Sequence, residues 1–270
     1  MDVNEVRVST DKDFEHFHSL VNNDDGWTNS YNKNNLIVKT RWTDESRIKL
    51  IKVSYPMENV TLETLYDALH DPEYRKVWDK DMANSYDICK LNDNNVIGWY
   101  AAKMPPPLKF RDWCLLRTWK KTDKEFMIFN HSVEHNAVPV RKNYVRSISY
   151  LTGYYGKKLD KNTTQMIFLT QTDPKGKLPK WFVNFLSTSM APRIMKKLYK
   201  TTLGYEKWHK KSGAAHKPWL EPEHNKLPLL DRKDIPSCNS NDDDGFEMID
   251  EDIDETNAEM EEKISNGSDE

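Results

Sequence analysis

Asp71-Pro72-Glu73-Tyr74-Arg75-Lys76-Val77-Trp78-Asp79 sets an arginine and an aspartate four residues apart. Asp71 suits a helix N-cap and Pro72 the first helical position, so the spacing predicts a short helix with Arg75 and Asp79 on one face. A solvated ion pair at that spacing contributes little. A buried guanidinium, by contrast, is an anion receptor: its planar donors match phosphate oxygens, and a carboxylate beside it orients it and offsets its charge. Spacing alone leaves both readings open. Arg111-Asp112 is a second such pair, at a strand start. His131 and His135 invite a metal, but no third ligand stands at a recognisable spacing. There is no glycine-rich phosphate loop, and no Ser or Cys has a base motif or a strained-elbow glycine pattern. Neither an enzyme, nor a cofactor, nor a metal site is expected.

The surrounding elements must position these groups. Phe14, Phe17 and Val21 predict a helix from Asp11, stopped by Asp24-Asp25-Gly26. Strands are predicted at 35–42 and 47–55, then a helix at 61–70 through Leu62, Leu65, Tyr66 and Leu69. From 96 to 172 the signal is β, at 96–103, 112–120, 125–132, 143–155 and 164–172. Strands at this spacing without intervening helices imply an antiparallel meander. After a turn at 173–176, residues 180–211 read as one long helix bent at Pro192. Its stripe is Phe182, Phe185, Leu186, Met190, Ile194, Leu198 and Tyr205.

The 270 residues carry a net charge of −3, unevenly spread. Residues 241–270 hold fourteen Asp and Glu against one Lys, which leaves +10 on the preceding 240. The mean hydropathy of −0.85 and pI of 6.3 thus average a basic body with an acidic tail. We divide the chain into an arm (1–10), one folded domain (11–212), a proline-rich extension partly packed on it (213–236) and a tail (237–270). The tail is expected to be disordered, because like charge and few apolar groups cannot offset ordering entropy. Three cysteines, Cys89, Cys114 and Cys238, form no disulfide or metal pattern and fit a reducing cytosol. With no signal peptide and no apolar run near the roughly 20 residues of a span, a cytoplasmic protein with peripheral membrane contact is expected.

The Asp71 segment, Pro105-Pro-Pro-Leu-Lys-Phe-Arg-Asp-Trp113, Asp173-Pro-Lys-Gly-Lys-Leu-Pro-Lys-Trp181 and Lys217-Pro-Trp-Leu-Glu-Pro-Glu223 together resemble the START-domain lipid-transfer family, in its phosphatidylcholine-transfer-like branch. The resemblance implies an α+β fold, the START helix-grip: a curved antiparallel sheet wrapped around a C-terminal helix, with an apolar lipid tunnel between. Arg75 then matches the family's phosphate-binding arginine and Asp79 its acidic neighbour. Tyr100, Trp113 and Tyr150 match the choline-facing aromatics, whose ring faces attract a quaternary ammonium. Leu69 and Thr152 stand where choline-specific relatives carry hydrogen-bonding Tyr and Gln, which implies a headgroup choice wide enough for phosphatidylethanolamine. The Arg111-Asp112 pair is structural in the family. The expected function is a monomeric carrier that moves one glycerophospholipid between membranes; the rivals are a lipid-sensing adaptor acting through the tail and a sterol carrier. Lys196, Lys197, Lys200 and Lys207 would give the last helix a face for anionic membrane rather than nucleic acid. Ser240 and Ser268 have the acidic downstream context of an acidophilic kinase such as casein kinase 2.

Overall fold

The computed structural model describes residues 2–43, 46–106, 108–179, 190–213, 216–236 and 247–249. Helix α1 (Asp11–Asn22) precedes strands β1 (Thr28–Lys33), β2 (Leu36–Thr43) and β3 (Ser46–Glu58). Helices α2 (Leu62–His70) and α3 (Pro72–Trp78) follow, then β4 (Met82–Asn92), β5 (Asn95–Ala102), β6 (Phe110–Lys121), β7 (Glu125–Ser132), β8 (Tyr144–Arg146), β9 (Ile148–Lys158) and β10 (Thr163–Asp173). These strands form a ten-stranded sheet in the order β1-β2-β3-β10-β9-β7-β6-β5-β4, with β8 attached to β6. Every pairing is antiparallel except β8 with β6. The expected meander therefore holds, with β10 returning to pair β3 and join the two strand groups.

The sheet buries both faces. On one side α1 lays Phe17 and Val21 on Leu50, Phe129, Tyr155 and Leu169, with Phe17 stacked on Phe129 at 4.8 Å. On the other, Val38, Val53, Val96, Trp119, Phe126, Ile128 and Met166 meet α2, α3 and two C-terminal helices. Those helices, α4 (Ala191–Thr202) and α5 (Tyr205–Ser212), replace the single long helix expected at 180–211. The chain breaks at Leu203-Gly204, where Gly204 N bonds Thr201 O at 2.8 Å, a tight local turn that ends the first helix. Pro192 sits in the first turn of α4, where no intrahelical N–H bond is lost; the expected bend there depends on residues 180–189, which lie outside the described residues. The buried stripe of α4 is Pro192, Met195, Leu198 and Thr202, so the expected Ile194 is off the stripe. Phe182, Phe185 and Leu186 lie outside the described residues.

Two strands, β1 and β4, escape the periodicity argument, because both are sheet edges: β1 is mostly exposed and polar, and β4 is mostly half-buried without a regular alternation. The single strand expected at 143–155 is two, since Ser147 separates β8 from β9 and its hydroxyl bonds Pro174 O at 2.9 Å. Beyond α5 the extension runs back over the domain, with Leu230 N on Lys90 O and Asn136 N on Asp234 O. Of the tail, where no structure is expected, Glu247–Ile249 forms a strand β12 parallel to β11 (Lys177–Pro179). Backbone pairing can hold a segment whose charges would not pack. Ser240, Ser268 and Cys238 lie outside the described residues.

Gly153 in β9 lets α1 approach the sheet. A Cβ there would sit 2.6 Å from Phe129 Cβ, 2.7 Å from the Ile128 backbone oxygen and 2.8 Å from Phe17. Gly153→Ala is expected to cost about 1–3 kcal/mol through overpacking against backbone that cannot yield. Urea unfolding should show a lower midpoint at unchanged slope.

Candidate functional site

Asp71 starts the helix that carries the site. Its carboxylate accepts from Glu73 N and Tyr74 N, both at 3.0 Å, and from the Tyr205 hydroxyl at 3.2 Å. One residue thus caps α3 and ties it to α5. The Tyr74 hydroxyl donates to Thr201 O, which fixes α3 to the end of α4. With both ends held, α3 points Arg75 at the inner face of the sheet, and Asp79 occupies the C-cap.

Arg75 Nε donates to Asp79 Oδ2 at 3.2 Å, and the Tyr100 hydroxyl donates to the same oxygen at 3.1 Å. Asp79 Oδ1 accepts from Met82 N at 3.2 Å, so the carboxylate is held from three directions. The guanidinium carbon lies 4.8 Å from the Tyr100 ring centre and 5.4 Å from that of Trp78. Burial disfavours the Arg75 charge, but Asp79, with Tyr154 and Tyr100, together more than offset it and the pKa is raised. Burial first, then Asp79, raises the Tyr100 phenol against the opposing pull of Arg75. The solvated reading of the pair is excluded: the two side chains are 24% and 11% exposed.

Trp113, opposite Tyr100 on β6, lies 5.8 Å from it ring to ring. Its indole Nε1 is shielded from water and has no hydrogen-bond partner among the described residues. Arg75, Asp79, Tyr100 and Trp113 are thereby brought into one cluster of a cation, its counter-ion, ring faces and a spare donor. Tyr150 is half-buried on β9 and makes no ring contact with that cluster among the described residues. Thr152 is spoken for: its hydroxyl lies 2.8 Å from that of Thr170 and 3.2 Å from that of Thr172. Leu69 is buried in the core beside Tyr66 and Trp78. Tyr154, also on β9, neighbours this cluster and was not singled out by spacing; the register shift that leaves Tyr150 unpaired means strand parity does not relate the two. Burial pushes the Tyr154 phenol up to about 12, with Arg75 opposing and Asp79 adding to the shift.

The other candidates separate. Arg111 donates to Pro174 O at 3.0 Å, Lys109 O at 2.6 Å and Lys175 O at 3.1 Å, which clamps the 173–176 turn. Asp112 accepts from Trp99 Nε1 at 2.8 Å and from Arg146 at 3.0 Å. Both are structural. His131 bonds Glu5 O at 2.8 Å and His135 faces Cys89 at 3.7 Å, so the two belong to separate contacts. Cys89 and Cys114 are buried and free. Lys200 and Lys207 are exposed, and Lys196 and Lys197 are half-buried. Burial lowers the Lys197 pKa while Asp81 pulls it back up.

This fold and cluster define a START domain, and the chain belongs to the START domain family, whose model matches residues 8–209. Mouse START domain-containing protein 10 is 40% identical over 248 residues, which cover 91% of this chain and 84% of that protein. The crystal structure of human STARD10 superposes with a TM-score of 0.82 at 38% identity, covering 88% of this chain and 97% of that one. Mouse phosphatidylcholine transfer protein is 24% identical over 160 residues, 58% of this chain and 74% of its own. No helix among the described residues is long and apolar enough to cross a membrane.

His70 closes the back of α2. It is buried between Tyr66, Trp119 and Trp219, and its Nε2 has no partner among the described residues. Burial holds its pKa well below the ordinary histidine value, and the Arg117 cation adds to this. The unfolded chain therefore takes a proton near pH 6.5 that the folded one refuses, so stability is full above about pH 6.5 and falls as pH drops below it. His131, lowered by burial, acts in the same direction. Each such group adds up to about 1.4 kcal/mol per pH unit to the slope. Urea midpoints at pH 7.5 and 5.5 should differ less in His70→Phe than in the native chain.

Proposed function

We propose that the protein binds one glycerophospholipid, phosphatidylcholine or phosphatidylethanolamine, between the sheet and helices α2 to α5, and carries it between membranes without altering it. The observation that supports this most is the Arg75–Asp79 pair, held on the apolar side of the sheet under Tyr100 and Trp113. A phosphate can take the free donors of Arg75, while a choline or ethanolamine ammonium meets ring faces. The acyl chains would supply most of the affinity at about 0.8 kcal/mol per buried CH2, and the polar cluster the choice of headgroup. Names of relatives point the same way: one is a phosphatidylcholine transfer protein. Thr152, whose hydroxyl is shared with Thr170 and Thr172, contributes little selection, in keeping with a wider headgroup range.

Native mass spectrometry of the purified protein should show one phospholipid per monomer. An empty or sterol-bearing protein that also fails to move labelled phospholipid between vesicles would refute the reading. Arg75→Ala should reduce loading of both phospholipids about tenfold or more, because it strands a phosphate away from water without a cation. Trp113→Leu should weaken phosphatidylcholine by roughly 2- to 30-fold, the range of one cation–π contact, and phosphatidylethanolamine less. Equal losses would move the choline site elsewhere.

The split of charge between body and tail supports a second element, competition by residues 237–270 with anionic lipid for Lys196, Lys197, Lys200 and Lys207. Each basic side chain near an anionic surface contributes about 1 kcal/mol, and phosphorylation of Ser240 or Ser268 would deepen the competition. Residues 1–236 should therefore bind anionic vesicles more tightly than the full chain at low salt, and the gap should close as salt rises. Equal binding at low salt would leave the tail with no gating role.

A further inference from the structure

The proline-rich extension carries a cluster that the lipid site does not use. His216, Glu221 and His224 offer two imidazole nitrogens and a carboxylate oxygen, all within 4.8 Å of one another. His216 Nδ1 is 3.2 Å and His224 Nδ1 2.9 Å from the same oxygen, Glu221 Oε2. Both are hydrogen-bond separations, so the two imidazoles already converge on one carboxylate oxygen; a zinc-type ion with ligands at about 2.0–2.2 Å would need the three atoms spread only slightly, to about 3.3–3.6 Å.

Local structure brings the three together. Pro222–His224 is one turn of 3₁₀ helix with Glu221 as its N-cap, and residues three apart superpose in that geometry, which sets Glu221 beside His224. Glu221 N bonds Lys217 O and His224 N bonds Glu221 O, both at 2.9 Å, so the turn is closed on itself. Pro218 and Pro222 restrict it further. His224 Nδ1 is shielded from water, and its close polar neighbours are carboxylate oxygens, Glu221 Oε2 at 2.9 Å and Glu223 Oε1 at 3.9 Å, acceptors that a cation would share with it. The two rings lie stacked at 3.7 Å. An ion in the plane of both rings needs them to swing apart, and the exposure of His216, at 57%, leaves room for that ring to move.

We propose that His216, Glu221 and His224 form a binding site for a zinc-type divalent cation, with water or Glu223, 3.9 Å from His224 Nδ1, in the fourth position. The ion would lock the turn that seats the extension on α2, where Lys217 Nζ and Trp219 Nε1 hold Asp67 at 2.5 and 2.8 Å. Because the ligands must be deprotonated, affinity falls as pH drops through the histidine range.

The full chain, stripped of metal, is titrated with Zn2+ against a chromophoric chelator. One ion per chain is expected, with affinity at least tenfold weaker in His216→Ala/His224→Ala and also reduced in Glu221→Gln. All three side chains lie outside the core, and circular dichroism in chelator checks that each variant is folded. Side-chain 15N spectra should place the zinc-induced shifts on His216 and His224. Unchanged affinity in the double variant, shifts confined to other histidines, or no uptake by the native chain would each overturn the site, leaving one carboxylate shared by two imidazoles.

Discussion

A guanidinium held against the apolar face of a sheet must have its charge answered by the protein, and the region around Arg75 is organised by that requirement. Asp79 answers it directly, and is itself held by the Tyr100 hydroxyl and the Met82 amide. Ring faces of Tyr100 and Trp78 attract the cation from the sides. Removing one partner of such a pair is far costlier than the pair is worth as a whole.

The direction of Arg75 depends in turn on α3, a helix of seven residues that would not stand alone. Asp71 gives it a start and a link to Tyr205, and Tyr74 links it to α4. The C-terminal helices thus do two things at once: they cover the inner face of the sheet, and they aim the arginine. The extension reaches the same region from outside, since Asp67 and His70 of α2 take Lys217 and Trp219.

The neutral His70 and the shielded cysteines show how dry the interior is. Burial pushes Cys114 up to about 12 and Cys89 up to about 11, so neither is a thiolate near neutrality. His131, His135 and Arg111 likewise have separate contacts of their own, to Glu5 O, Cys89 and Pro174 O.

Local information in the chain was enough for Asp71 as a cap, Pro72 at the first position, the i, i+4 placement of Arg75 and Asp79, and the alternating strands from β5 to β10, because capping and pleat parity are set by near neighbours. Whether Arg75 was solvated could not be read there, since its burial depends on Tyr100 arriving from β5, with Trp113 beside it on β6. The break at Leu203-Gly204 escaped the stripe because the apolar pattern continues across it to Tyr205. Edge strands β1 and β4 escaped because only one neighbour demands their register, and their side chains need not alternate. The His216, Glu221 and His224 spacing matches none of the zinc patterns read from sequence; only the closed turn sets their ligand atoms around one point. Periodicity reports which way a side chain points from its own backbone, and the tertiary structure alone decides what it meets there.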